Sequence, residues 1–592
     1  MFLWGKWYFC YRIVTVKIGD SAITHTFGPF RFSGTGLLTR EDEPIHLTPK
    51  EKDVLLVLVG KAGKIVEKEE FRKRVWPDIH PDIKVDDSLK KVIAGIRKAL
   101  GETKSNSQYI STYPKLGYRF TKRPKGDSGE GRRKLAVLPF RRLGRGKQPN
   151  EEFIDGLTYE IITQLGRLNP EQLGVIAPTS IMRYKKTKKT AKQIGKELRV
   201  RYVVEGSVLS AGNKVRTSVH LIQVADESQV WAETYERRLD DMLVFLREVC
   251  QDIARKIDIK LVPHEQARLD YVAPVKPEAY KSYLSGRYLW NKRTPKSLQE
   301  ATVLFKKAIE LDSKFALAHS ALADCYAVMA SQSWIPPEQA CGNAKHAATS
   351  AMGLDRTFAE PHAALGFILS VFEHDWDGAE QEFQEALRLN ANCVTAHHWY
   401  SFYLAAKNSV REAIQQIKLA QGIDPLSRMI NTNVGTMLYW AREYDAAIEQ
   451  YDQALKLDSD FWYAYWMRGL AYDEKKQYRE AARDQRRAMR HFPGDSPLLA
   501  ASLARSLALS GEQRDARRQL KEINRPSKYS SLPHYHIGMA YAALEDKDTA
   551  FRSLFMSCTT HEMWASFIQV DPKMDSLRND RRYEDLRRSL LL

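Results

Sequence analysis

The chain has 592 residues, 43% of them hydrophobic, and a formal net charge of +18. This length predicts several domains, and the basic balance favours a polyanionic partner without specifying a fold. The six cysteines are scattered and form no CxxC pair, which argues against a zinc-finger pattern and a disulfide framework. No apolar run reaches the ~18 residues of a membrane span. We therefore expect a cytoplasmic protein with reduced thiols, and neither a metal nor a cofactor.

The N-terminal segment "MFLWGKWYFCYRIV" is apolar and aromatic. It lacks a clean hydrophobic stretch and a small-residue cleavage site, so it makes a poor signal peptide. We treat residues 1–24 as an N-terminal extension, either an additional strand or a segment upstream of the true start.

Residues 25–122 predict a small α+β domain. "HTFGPFRFSGTGLLTREDEPIHL" (25–47) alternates and turns like a short antiparallel sheet. Thr48 and Pro49 then mark the start of a helix, "EKEEFRKRVW" predicts a second, and "VDDSLKKVIAGIRKALG" (85–101) a third. "YISTYPKLGYRF" (109–120) predicts a hairpin. Strands, three helices and a hairpin in this order indicate a winged helix-turn-helix.

The third predicted helix is amphipathic. Its apolar residues follow the helical period and are Leu89, Val92, Ile93, Ile96 and Leu100. Lys91, Ala94 and Lys98 lie on the opposite side, flanked by Lys90 and Arg97. Two interpretations stay open for the helix alone: a solvated surface helix, or a helix that meets a polyanion.

Five blocks of sequence carry a family resemblance. "FGPFRF", "LTPKEKDVLLVLV", "FRKRVWPD", "DDSLKKVIAGIRKAL" and "YISTYPKLGYRF" follow one another in the order of the OmpR/PhoB-type DNA-binding domain. The segment therefore resembles that domain over residues 25 to 122. The resemblance implies that the third helix enters the major groove of DNA and that the hairpin, or wing, reaches the adjacent minor groove.

The resemblance also implies a set of DNA-contacting positions. From the helix these are Lys90, Lys91, Ala94, Gly95, Arg97 and Lys98, and from the wing Thr112, Lys115 and Arg119. The family often has arginines where this chain has Ala94 and Gly95. Arginine reads guanine bidentately and small residues do not, although Ala94 could touch a thymine methyl. We expect phosphate contacts to carry more of the affinity here.

A Gly- and charge-rich linker, residues 123–132, precedes a middle segment, residues 133–262, that predicts a second α+β domain. The linker is either a solvated tether or a source of additional phosphate contacts. "LAVLPF", "GLTYEIITQL" and "YVVEGSV" resemble the TolB-N-like domain found in bacterial regulators and in some adenylyl cyclase chains. No catalytic constellation stands out, so we expect no enzyme activity. A small-molecule ligand is a further expectation for this segment.

Residues 277–592 are periodic. Ala379, Ala413, Ala447 and Ala481 recur at a constant spacing of about 34 residues. This period, with small residues where helices cross and prolines that end helices, resembles the tetratricopeptide repeat. We expect about eight repeats and a C-terminal cap. A loop insertion around "ASQSWIPPEQ" explains one longer spacing.

Stacked repeats leave a concave groove, which is their usual binding surface. If the register holds, Thr436, Tyr439 and Trp440 face that groove, and a protein or peptide partner would bind there. A purely structural solenoid is the alternative. The aromatic residues Trp462, Tyr463, Tyr465 and Trp466 are more typical of packing between repeats than of a ligand site.

The chain is thus predicted to be multidomain: a winged helix-turn-helix, an α+β middle domain and an all-α repeat solenoid. This layout resembles regulators of the CadC and HilA style, without the membrane span of the former. It implies a sequence-specific DNA-binding transcriptional regulator whose repeat array binds a protein or ligand signal. One alternative is a scaffold whose winged helix docks protein, and another is a signalling enzyme.

Overall fold

The computed structural model describes the chain except at certain positions. These are residues 1–23, 28–29, 34–37, 41–42, 62–64, 77–85, 103–108, 114–115, 122–124, 127–131, 144–150, 171, 212–213, 239–240, 260–274, 293, 332–334, 336 and 526–531. The predicted extension 1–24 and linker 123–132 lie largely outside the described residues. The chain divides into two compact units, residues 1–132 and residues 133–592.

The first unit consists of short strands and three helices. Its strands are β1 (Thr24–Phe27), β2 (Phe30–Ser33), β3 (Leu38–Arg40), β4 (Glu43–Ile45), β5 (Ile65–Glu67), β6 (Ile110–Tyr113), β7 (Gly117–Phe120) and β8 (Lys125–Gly126). Its helices are α1 (Pro49–Gly60), α2 (Lys68–Val75) and α3 (Asp86–Ala99). One antiparallel sheet has the order β4-β3-β2-β1-β8, and a second has the order β5-β7-β6.

The core of this unit is apolar and aromatic. Helix α1 starts with a capping box, in which Thr48 and Glu51 each accept the other's backbone N–H. Its buried side is aliphatic and packs with the buried side of α3. The Phe120 ring at the end of β7 meets Phe27 edge to face, with centroids 4.9 Å apart. These contacts confirm the winged-helix fold and hold α3 by its apolar side.

The second unit begins with an α+β part. Its strands are β9 (Arg133–Val137), β10 (Arg141–Leu143), β11 (Leu173–Val175), β12 (Tyr202–Ala211), β13 (Lys214–Gln223) and β14 (Gln229–Arg238). Its helices are α4 (Glu151–Gly166), α5 (Pro178–Ile181), α6 (Ala191–Leu198) and α7 (Met242–Lys256), with a 3-10 turn at Met182–Tyr184. The sheet order is β11-β9-β12-β13-β14, and β10 pairs with β12.

The sheet of this part is mixed. Strand β9 is parallel to both β11 and β12, while β12, β13 and β14 form an antiparallel meander. In β13 the residues Val215, Thr217, Val219 and Leu221 alternate with more exposed neighbours and are buried. This alternation of buried and more exposed residues indicates that one face of the sheet packs against other elements. Helices α4 and α7 contact each other and contact strands of this sheet.

The remaining helices form the repeat array. They are α8 (Pro277–Lys292), α9 (Pro295–Leu311), α10 (Ala316–Ser331), α11 (Pro337–Leu354), α12 (Ala359–Val371), α13 (Trp376–Leu389), α14 (Val394–Ala406), α15 (Val410–Ile423), α16 (Arg428–Trp440), α17 (Tyr444–Leu457), α18 (Trp462–Glu474), α19 (Tyr478–His491), α20 (Pro497–Leu509), α21 (Gln513–Ile523), α22 (His534–Ala543), α23 (Lys547–Thr559) and α24 (Arg581–Ser589). Two 3-10 turns, Met563–Phe567 and Pro572–Met574, precede α24.

Helices α8 to α23 pack in sequence as eight helix pairs within the described residues, and α24 follows as a cap. The recurring alanines are fully buried where the two helices of a pair cross. Gly435 shows why the position must be small: a Cβ there would lie 2.5 Å from a ring carbon of Tyr451 on the second helix of its pair. The predicted tetratricopeptide solenoid is confirmed.

The α+β part and the array pack against each other. Tyr283 on α8 donates a hydrogen bond to Glu160 on α4, with an O–O distance of 3.2 Å. Ser180 donates to Asp424 at 2.5 Å and accepts from the backbone N–H of Leu426 at 2.8 Å. Because these polar groups are buried or half-buried and are satisfied across the boundary, the two parts stabilise each other.

No helix in the described portion of the chain is both long enough and apolar enough to cross a membrane.

Candidate nucleic-acid interface

Helix α3 presents a basic face away from the core of the first unit. Leu89, Ile93 and Ile96 are buried, with at most 1% of each residue's surface exposed. Four of the predicted contact residues are exposed: Lys90, Lys91, Ala94 and Lys98. The arrangement follows from the 3.6-residue period, since a stripe packed on α1 leaves the opposite stripe in solvent.

The cations of this face differ in their partners. Lys90 donates a hydrogen bond to Asp87 at 2.8 Å, which lowers the pKa of that carboxyl below its ordinary value. Lys91 and Lys98 have no carboxylate oxygen within 4 Å among the described residues. Lys91 and Lys98 therefore retain the least compensated positive charge on α3.

Arg97 does not belong to the exposed face, and this corrects the sequence prediction. Only 7% of the residue is exposed, and its Nη2 donates to the Ile110 carbonyl at 2.7 Å and to Thr112 Oγ1 at 2.9 Å. The Glu102 carboxylate lies 3.8 Å from Arg97 Nε and accepts the backbone N–H groups of Tyr109 and Ile110. Arg97 thus joins α3 to the wing instead of pointing at a ligand.

Gly95 is also better explained by packing than by DNA contact. A Cβ at this position would lie 1.8 Å from Glu51 Oε1, an atom of the capping box of α1. The missing side chain lets the start of α1 approach α3 closely. Gly95 was predicted to face the groove, but Glu51 lies on the side where a side chain at position 95 would be.

The wing is the hairpin of β6 and β7, and β5 pairs with β7 as a third strand of the same sheet. Ser111 lies opposite Arg119 and Thr112 opposite Tyr118 in the antiparallel register. The Arg119 guanidinium lies 4.9 Å from the centre of the Tyr113 ring, a cation–π contact that holds the arginine along the hairpin. Thr112 and Arg119 are half-buried, and the predicted Lys115 lies outside the described residues.

The tip of the wing carries an exposed apolar residue that was not predicted from the sequence. Leu116 is 55% exposed, its N–H donates to the Tyr113 carbonyl at 3.1 Å, and its carbonyl accepts the N–H of Lys68 at 3.2 Å. The signal was present in "YPKLGY", because the residues between the two strands of a hairpin lie in a turn, and turns lie on the protein surface.

The residues predicted to face a peptide groove are inside the molecule, which corrects that prediction. Thr436 and Tyr439 are 0% exposed and Trp440 is 3% exposed. The Trp440 ring stacks on Phe567 with centroids 4.6 Å apart, and Phe567 belongs to the segment after the last repeat. The register of an isolated repeat predicts that these residues face the groove, but in the full chain the C-terminal segment packs over Trp440.

Comparison with known families agrees with the three-part architecture. Residues 42–120 match the family model "Transcriptional regulatory protein, C terminal", and residues 436–476 match "TPR repeat". Residues 131–253, compared above with TolB-N-like domains, match "HilA/YgeH-like transcriptional regulator, second domain". Together with the winged-helix geometry, these matches define the chain as a DNA-binding transcriptional regulator that carries tetratricopeptide repeats.

Several individual proteins are also similar to this chain, over part or most of their length. The "Transcriptional regulator HilA" of Salmonella typhi is 24% identical over 503 residues, which cover 84% of this chain and 82% of that protein. The "Cholera toxin transcriptional activator" of Vibrio cholerae is 33% identical over 101 residues, 17% of this chain and 33% of that protein. The "Putative adenylate cyclase 3" of Rhizobium meliloti is 34% identical over 189 residues, 32% of each chain.

Proposed function

We propose that this regulator reads DNA by inserting α3 into the major groove while the wing touches the neighbouring backbone and minor groove. The observation that carries the proposal is the exposed face of α3, with Lys90, Lys91 and Lys98 on one side of a helix that is braced from behind. A helix with side chains is about 10–12 Å across, close to the ~12 Å width of the major groove.

The composition of this face sets the balance between affinity and specificity. Lysines neutralise phosphates and can donate to guanine, whereas Ala94 offers only a methyl group for contact with thymine. Arg97 is committed to the wing and therefore does not supply the bidentate guanine contact that arginine makes elsewhere. We infer that phosphate contacts provide most of the affinity and that few positions of the operator are read directly.

The test is a charge reversal on α3 in the full chain. Lys91→Glu combined with Lys98→Glu should abolish preference for a DNA fragment selected by the wild-type protein from random genomic DNA. Both side chains are exposed, so folding measured by circular dichroism should be unchanged. A matched control, Lys281→Glu with Lys307→Glu, makes the same charge change at exposed positions of the array and should keep the preference.

If the double variant of α3 selects and binds the fragment like the control, the placement of the helix is refuted. If the wild-type chain binds no duplex even at low salt, the scaffold alternative gains the stronger claim. A steep fall of log K with log salt would support phosphate neutralisation.

We infer that a protein signal acts through the repeat array, since the tetratricopeptide match supports a protein partner. Phe567 packs against Phe402 on α14 and Trp440 on α16, each the first helix of its pair, so a partner that uses these helices must displace the C-terminal segment. Trp564→Ala with Phe567→Ala would weaken the packing of the C-terminal segment on these helices. It should change the expression of a reporter gene placed under a promoter that the protein binds. A small-molecule ligand of the α+β part remains the second form that a signal could take.

We propose that this regulator acts in the cytoplasm, where it would reach chromosomal DNA, and that it acts without catalysis. The relative named as a putative adenylate cyclase is the observation that favours an enzyme instead. Incubating the intact chain with ATP and Mg²⁺ and measuring cyclic AMP separates the two. Turnover that scales with protein concentration would overturn the non-catalytic proposal.

A further inference from the structure

Two consecutive repeats carry cations at the same positions. In the sixth helix pair these are Arg479, Arg483, Arg486 and Arg490, all on α19. In the seventh pair they are Arg514, Arg518 and Lys521 on α21, and Arg525 just beyond its end. Each residue of the second set follows its counterpart in the first by the same interval, one repeat along the chain. We call these eight residues the basic stripes.

The spacing puts each stripe on one face of its helix, with Arg525 just beyond the end of α21. Positions i, i+4, i+7 and i+11 form a single row about 16 Å long at 1.5 Å per residue. All eight side chains are exposed. On the opposite sides, Ala481 and Ala488 of α19 and Ala516 and Leu520 of α21 are buried. Both helices also join one apolar cluster, through Ala482 on α19 and through Ala516 and Leu520 on α21. The stripes therefore present two rows of cations to solvent from one rigid support.

The solenoid itself does not require these charges. The equivalent positions of the fifth pair, one repeat before those of α19, hold Asp445, Glu449, Asp452 and Lys456 on α17. A scaffold that accepts three acids at one repeat and four bases at the next imposes no charge of its own. The basic stripes are thus a property of this surface and need a separate explanation.

Few acids lie within ion-pair distance of the stripes. Asp484 on α19 is fully buried and pairs with Arg468, with its Oδ2 2.6 Å from Arg468 Nε. Arg518 and Arg525 pair with Asp515 and Glu522, each at 2.7 Å. The four arginines of the α19 stripe have no carboxylate oxygen within 4 Å in the part of the chain that the structure describes. Their charge is available to a polyanion.

The surroundings of the stripes favour a nucleic-acid backbone over an acidic peptide. Among the described residues, neither α19 nor α21 exposes a large hydrophobic side chain of the kind that anchors a peptide. A cleft of about 440 Å³ beside α21 is lined by Arg517, Lys521, Asn524, Arg525 and Tyr541, which are polar or cationic apart from one aromatic ring. Guanidinium groups match the geometry of phosphate oxygens.

We propose that the basic stripes bind the phosphate backbone of duplex DNA, as a second, sequence-independent DNA contact remote in sequence from the winged helix. The inference goes beyond the proposed function, because it needs no base reading by α3. Two contacts on one chain raise the effective concentration of each, so the stripes would lengthen residence on DNA without changing the preferred sequence.

The experiment removes one stripe in the full chain. The variant Arg479→Gln, Arg483→Gln, Arg486→Gln, Arg490→Gln keeps helix propensity and loses four charges. The control variant Lys281→Gln, Lys307→Gln, Arg411→Gln, Lys418→Gln loses four exposed charges elsewhere in the array. Affinity is measured against salt for a random duplex, for the selected genomic fragment and for a single-stranded RNA of equal length.

We expect the stripe variant to bind both duplexes about tenfold more weakly at moderate salt, with the salt slope reduced by between about 1 and about 4, since each phosphate contact contributes ~0.9. Preference for the selected fragment should be kept, which separates this result from failure of α3. Affinity and slope equal to the control would overturn the proposal. A loss confined to RNA, or a loss of sequence preference with an unchanged slope, would overturn it equally.

Discussion

At the scale of single residues, the buried Arg97 and Glu102 pair decides how the DNA-binding unit is held together. Glu102 accepts two backbone N–H groups at the start of β6, while Arg97 donates to a carbonyl and a hydroxyl of the same strand. The two side chains are 9% and 2% exposed, so water contributes little to satisfying either charge. The pair fixes the wing relative to α3.

We predict that Arg97→Ala destabilises the first unit by about 3 kcal/mol, because it leaves the Glu102 carboxylate buried without its counter-charge. Thermal unfolding of the full chain, followed by calorimetry, should show the transition of the first unit at a lower temperature. Lys98→Ala, one residue along and exposed, should change stability by less than about 0.5 kcal/mol. Equal stability of Arg97→Ala and Lys98→Ala would contradict the role of the Arg97–Glu102 pair in joining α3 to the wing.

At the scale of elements, the junction between α22 and the C-terminal segment is held by a carboxylate. Glu562 accepts the N–H groups of His534 and Tyr535 at 2.7 and 3.0 Å, just before the 3-10 turn that carries Trp564 and Phe567. Burial raises the pKa of Glu562 to about 7, even though these N–H groups favour the ionised form. Desolvation of the carboxylate is therefore the larger effect.

We predict that this junction is weaker at alkaline pH. The pKa of Glu562 is higher in the folded than in the unfolded chain, so its contribution is complete below about pH 4.5 and is lost as pH rises through about 7. Glu562→Gln removes the ionisable group but can accept only one of the two N–H groups, so it loses a hydrogen bond at every pH. The stability of the variant relative to the wild-type chain should therefore be higher at pH 8 than at pH 4.5 by at least about 1 kcal/mol. Denaturant unfolding at the two pH values measures the difference, and a relative stability independent of pH would contradict it.

The elements themselves follow closely from local pattern. Helix α3 was predicted within 85–101 and spans Asp86–Ala99, and the wing was predicted at the position of β6 and β7. Periodicity fixes which face of a helix is apolar, and this placed Lys91 and Lys98 correctly outside. It does not fix where a long flanking side chain turns, and Arg97 turned inward toward a partner on another element.

The sequence pattern also did not predict that a distant segment covers Trp440, because contacts between segments far apart in sequence leave no local signal. Trp440 looks groove-facing because a repeat is recognised from its own short sequence, whereas its neighbour Phe567 belongs to a segment beyond the last repeat. The turns within repeats were missed too. Asn408, Arg442 and Lys476 occupy equivalent turns with positive φ between 60° and 66°, a backbone conformation for which glycine is the usual sequence signal.

At the scale of the whole molecule, the α+β part and the repeats behave as one body. Arg167, just after the end of α4, pairs with Glu360 on α12 at 3.0 Å, and both side chains are largely buried. Asn392 in a loop between repeats donates to the carbonyls of Gly166 and Leu173, each at 2.9 Å. These buried contacts therefore join the α+β part to several repeats of the array.

We predict that two truncations behave differently for this reason. A chain ending at residue 132 follows the boundary of the compact unit and should keep its preference for the selected DNA fragment while losing regulated reporter output. A chain ending at residue 276 keeps the α+β part but removes α8 and the partners of Glu160, Arg167 and Ser180. Buried charges without partners are costly, so this α+β part should unfold at lower temperature and bind a hydrophobic dye.

Dye binding and thermal unfolding of the two truncated chains, each beside the full chain, measure the effect. The chain ending at 132 is the control because it lacks the second unit, so dye binding or an unfolding transition that it shows belongs to the first unit. An unfolding midpoint for the α+β part of the longer truncation equal to that in the full chain would mean that the two parts are energetically independent. Reporter output that still responds without residues 133–592 would place the sensing function in the winged-helix unit instead.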